Sequence, residues 1–69
     1  MSKATQAQRE LIERLFKRAE LDPTTVTLLH KTYGVPERFV GQPVTHFLDT
    51  LTKDSASLVI ATAMRVVGR

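Results

Sequence analysis

Apolar residues recur at intervals of three and four over four separate stretches of this chain, and each stretch predicts a helix with one buried face. Leu11, Ile12, Leu15, Phe16 and Ala19 mark the first, over about residues 6–19. Thr5 precedes it with Gln8 three residues on, the spacing of a capping box. Asp22 followed by Pro23 reads as an N-cap and first helical position, so a second helix is expected from there through Val26, Leu29, His30 and Tyr33. Gly34 is placed to end it in a left-handed conformation, and Val35-Pro36 confirms the stop. The stretch 35–42 is expected to be a connector with room for one helical turn, its Phe39 and Val40 packing inward.

Val44, Phe47, Leu48 and Leu51 predict a short third helix with Pro43 near its start. Thr52 then caps a last helix over 53–67, with Asp54 in its first turn and Arg65 in its last, both matched to the helix dipole. Its face of Ala56, Val59, Ile60, Ala63, Met64 and Val67 is broad and partly small, which suits a central helix closely approached by a neighbour. No alternating apolar run bounded by hairpin turns calls for a sheet. The expected fold is therefore all-α, a compact bundle of three to four short helices forming a single domain over residues 1–69.

Composition changes this picture little. At 69 residues the chain has one core of limited size, and with no cysteine neither disulfides nor thiolate metal sites supplement it. The N-terminal segment has no signal-like apolar stretch, and the longest apolar run, Leu58 to Ala61, is far too short to span a bilayer. No membrane association is expected, and a cytoplasmic location is the default expectation.

Charge matters more. Ten Lys and Arg against seven Asp and Glu give +3, basic but not polycationic, and the basic residues are dispersed. On the first helix Glu10 with Arg14 and Glu13 with Lys17 have the acid-before-base spacing of four that favours local ion pairing. Arg14, Lys17 and Arg18, with Arg9 beside them and Lys31 and Arg38 added from the second helix and its connector, form a candidate surface for phosphates or an acidic peptide. The plainer reading of the same residues is a solvated helix face. A second candidate is the segment from Phe39 to Phe47, as an apolar notch rimmed by Lys31 and Arg38; core packing explains both rings more simply.

Catalytic chemistry finds no footing in the sequence. His30 and His46 lie on different predicted helices with no ligand-spaced partner, and are read as a core-edge and a surface histidine. Ser55 and Ser57 have no accompanying base, no two carboxylates pair as acid and base, and the three glycines form no phosphate loop. No enzyme activity and no cofactor or metal is expected.

The opening ATQAQRELIERL and the late LTKDSASLVI, separated by a helix and a connector, resemble the small helical domains at the ends of phage and bacterial DNA-metabolism proteins. These include single-strand annealing proteins of the lambda Red beta and RecT kind, some single-stranded-DNA-binding proteins and some exonucleases. The matching positions are Ala4, Thr5, Gln8, Ile12 and Leu15, then Leu51, Thr52, Lys53, Asp54, Ala56, Ser57 and Ile60. The resemblance implies a recruiting module in DNA recombination or replication. It would dock onto a partner nuclease or the acidic tail of a single-stranded-DNA-binding protein through Arg14, Lys17, Arg18, Lys31 and Arg38. Two alternatives stand beside it: direct DNA binding by the same side chains, and a homodimer formed on the small-residue face of the last helix.

Overall fold

The computed structural model describes residues 2–68. Among them lie four α-helices and one 3-10 turn: α1 (Gln6–Arg18), α2 (Leu28–Thr32), the turn Glu37–Phe39, α3 (Val44–Thr50) and α4 (Lys53–Val67). The all-α small bundle is the fold.

The first helix starts where its sequence says it should. The Thr5 side chain accepts from the Gln8 backbone N–H at 3.0 Å, and the Gln8 side chain accepts from the Thr5 N–H at the same distance. Its end falls within one residue of the expected 6–19, but the way it closes was not legible. Glu20 takes a left-handed φ of 60°, Glu20 N–H donates to Lys17 C=O, and Leu21 N–H donates back to Phe16 C=O, both at 3.0 Å. This is a complete Schellman closure with a glutamate where glycine is preferred, and it drives Leu21 into the core. The end of α2 closes by the same pattern, with Gly34 at φ 101° and Val35 N–H donating to His30 C=O. Removing the strain at Glu20 is therefore expected to stabilise: Glu20→Gly gains about 0.5–1 kcal/mol, the left-handed cost less glycine's added unfolded-state entropy. A rise in the urea midpoint at unchanged slope checks it.

The second helix corrects the sequence reading. It starts at Leu28, not at Pro23, and Leu29 is exposed rather than buried. Residues 24–27 are Thr-Thr-Val-Thr, four β-branched residues in a row, which favour extended backbone over helix. The Asp22 carboxylate, expected to cap a helix, instead accepts from the backbone N–H of Thr24 and Thr25 and from the Thr24 hydroxyl. These three bonds, the Thr24 backbone first, hold the carboxyl below the usual range. The freed segment lies antiparallel to the stretch before α3, with Gly41 N–H donating to Val26 C=O, Val26 N–H to Gln42 C=O, and Val44 N–H to Thr24 C=O.

The core gathers Ile12, Phe16, Val26, Phe39, Phe47, Leu51, Ala56 and Val59 with their neighbours. The neighbour expected for the last helix is α1: α1 and α4 form the main helix pair, start side by side, and are linked by the Gln8 amide donating to Lys53 C=O. Ala56 and Ala63 are fully covered on this face, so the small-residue face considered for self-association is already occupied within the chain; Met64, by contrast, is exposed. Both Phe39 and Phe47 are core residues.

Candidate functional site

Because α1 spends its apolar face on α4, it meets α3 only loosely, and a trough opens along the seam between them. Its larger half, about 610 Å3, has Phe16, Leu21, Val44 and Leu48 as its floor, with the exposed Glu13, Arg14 and Lys17 along the α1 lip and Asp22, Pro23 and Thr45 completing the lining. Phe16, Leu21, Val44 and Leu48 are each buried residues of the core, so the floor is the edge of the core itself. A smaller half, about 450 Å3, continues past Glu13, Thr45 and Leu48 to Gln6, Arg9, Glu10 and Asp49. Along α1 the trough runs from the C-terminal to the N-terminal half while along α3 it runs from Val44 to Asp49. The two helices are thus antiparallel.

The ion pairs differ from those the spacing suggested. Neither Glu10 with Arg14 nor Glu13 with Lys17 forms a contact within 4.0 Å; the pairs among the described residues are Arg9 with Asp49 at 3.3 Å and Lys31 with Glu37 at 3.5 Å. The reason is reach: Arg9 can bridge the α1–α3 seam, a longer-range contact that spacing within one helix does not reveal. Both pairs are solvated and add little stability. Their effect is on availability, since Arg14 and Lys17 are left without carboxylate partners at the trough.

The five basic residues singled out from sequence are not one cluster. Arg14 and Lys17 share the trough's lip. Arg18 is exposed in the last turn of α1 and is not among the lining residues. Lys31 is engaged by Glu37, and Arg38 lies over the Phe39 ring at 5.0 Å, beside a separate notch of about 190 Å3 between the 3-10 turn and α4. A notch near Phe39 and Phe47, the second candidate weighed against core packing, is present beside two core rings, with Arg38 among its lining residues; Lys31 is not part of it. Leu21, Thr45 and Pro23 were missed as trough residues. For Leu21 the signal was the helix ending itself, since an apolar residue two past a helix end packs back on the last turn.

His30 departs furthest from its expected place. It is not at the core edge but fully buried, the one buried polar side chain among the described residues, set edge-on to Phe16 with ring centroids 5.2 Å apart. Its Nδ1 accepts from the Thr27 N–H at 2.8 Å, which places the proton on Nε2, a position that makes no well-formed hydrogen bond among the described residues. Burial lowers the pKa of the ring below 6.5, partly offset by the Asp22 backbone and carboxylate. His46 is exposed beside Phe39. Among the described residues no three His, Asp or Glu side chains come together as metal ligands, and no helix is long and apolar enough to cross a membrane.

No family model, curated protein or solved structure matches the chain.

Proposed function

We propose that this domain is a non-catalytic interaction module of DNA recombination or replication, and that the α1–α3 trough receives a short acidic peptide with an apolar side chain. The tail of a single-stranded-DNA-binding protein, or an equivalent segment of a partner nuclease, has that chemistry. One observation carries the reading: Arg14 and Lys17, two cations without carboxylate partners among the described residues, stand on the lip of a trough whose floor is apolar. An apolar side chain entering the trough would cover the exposed edge of the core, and its acidic neighbours would meet the two cations in charge-assisted hydrogen bonds. The resemblance of the opening and late segments to recruiting domains of DNA-metabolism proteins supports the same reading.

Fluorescence anisotropy with a labelled acidic-apolar peptide, single-stranded DNA and duplex DNA, each at low and physiological salt, tests it. Peptide binding is expected to fall about tenfold or more in the double variant Arg14→Glu, Lys17→Glu, and to be little changed in Lys31→Glu or Arg38→Glu. Salt-steep DNA binding with no peptide binding would instead favour phosphate contacts as the function.

A further inference from the structure

The trough is electrically polar along its length. Glu13 lines both halves and stands at their junction; beyond it, in the half beside the C-terminal turns of α1, the side chains without ion-pair partners among the described residues are Arg14 and Lys17, while the Asp22 carboxylate is turned into its own loop by the bonds from Thr24 and Thr25. In the other half Arg9 is taken up by Asp49, which leaves Glu10 and Glu13, both exposed, as the uncompensated charges. Among the described residues the Glu10 carboxylate accepts only from the neutral Gln6 amide. Glu10 and Lys17 are seven positions apart on one helix, which puts their backbones about 10 Å apart along the axis. An extended peptide covers that distance in about three residues.

We infer that the trough takes a peptide of opposed charge: acidic residues and an apolar side chain at the Arg14–Lys17 half, and a Lys or Arg about three residues away over Glu10 and Glu13. This rests on the trough being a peptide site, and it adds a direction and a selectivity which that reading lacks. A uniformly acidic segment is disfavoured, because its far end meets two like charges. The charge order fixes which way the peptide lies, since reversal sets acid against acid at one end and base against base at the other.

The test uses the whole chain and labelled peptides ending in Asp-Asp-Leu, with Lys-Lys, Ser-Ser or Glu-Glu placed about three residues upstream. The Lys-Lys peptide is expected to bind roughly fivefold to tenfold more tightly than the Glu-Glu peptide at low salt, with Ser-Ser between them. In the double variant Glu10→Lys, Glu13→Lys, both at exposed positions, the order should reverse while helical circular dichroism is unchanged. If the Glu-Glu peptide binds as well as or better than the Lys-Lys peptide, the opposed-charge assignment is overturned and the peptide site stands. If no peptide ending in Asp-Asp-Leu binds, the peptide site itself is overturned, and this inference with it.

Discussion

Replacing Phe47 with alanine is expected to leave the domain largely unfolded at room temperature. Phe47 is 1% exposed and stands edge-on to Phe39 with ring centroids 5.0 Å apart. Truncating a buried phenylalanine removes its transfer free energy and leaves a cavity, together about 3–5 kcal/mol. A domain of this length has a total stability of roughly 3–10 kcal/mol, so the loss is comparable to the whole. Phe39→Ala, where the ring is slightly more exposed and is covered by Arg38, should cost less. Urea titrations followed by circular dichroism measure both. A Phe47→Ala protein with a midpoint close to that of the parent would mean that the ring does not carry the core as its burial implies.

The same two rings show what the sequence carries. Their burial followed from size alone, because a short chain must place its aromatics inside. Helices whose signals are local were equally legible: α1 from the Thr5–Gln8 box and α4 from Thr52, whose side chain accepts from the Ser55 N–H. Where two local signals competed, the reading went wrong. Asp22-Pro23 announces a helix and Thr24 to Thr27 forbid one, and the β-branched run prevails because the segment gains hydrogen bonds to residues 41–44 that sequence proximity does not reveal. The candidate site was legible in its residues and not in its grouping. Arg14 and Lys17 share a lip because α3 lies loosely across α1, whereas Lys31 and Arg38 were drawn off by Glu37 and Phe39, partners six residues away and next in sequence. Grouping charges in space needs the interhelical arrangement, and in this chain that arrangement is set by which face of α4 is small.

Acid should destabilise the domain in a way that depends on His30. The ring's folded pKa lies below 6.5, the ordinary value, with burial the main cause. Between that lowered value and 6.5 the unfolded chain holds a proton that the folded chain does not, so stability rises with pH through this window and is lost as pH falls through it. Protonation also removes the acceptor lone pair on Nδ1 that the Thr27 N–H uses, opening the first turn of α2. The ring is fully covered, yet with a shortest dimension of 17 Å the domain keeps every interior atom near solvent, so burial disfavours the charge without forbidding it. Two variants separate packing from protonation. His30→Ala should lose about 2–4 kcal/mol at neutral pH, from the cavity against Phe16 and the orphaned Thr27 N–H. His30→Gln retains an acceptor for that N–H and should lose less. Both should flatten the fall in urea midpoint between neutral and mildly acidic pH. If the parent's midpoint is unchanged across that range, or if His30→Gln falls as steeply as the parent, the acid sensitivity belongs to other groups and His30 is a packing residue alone.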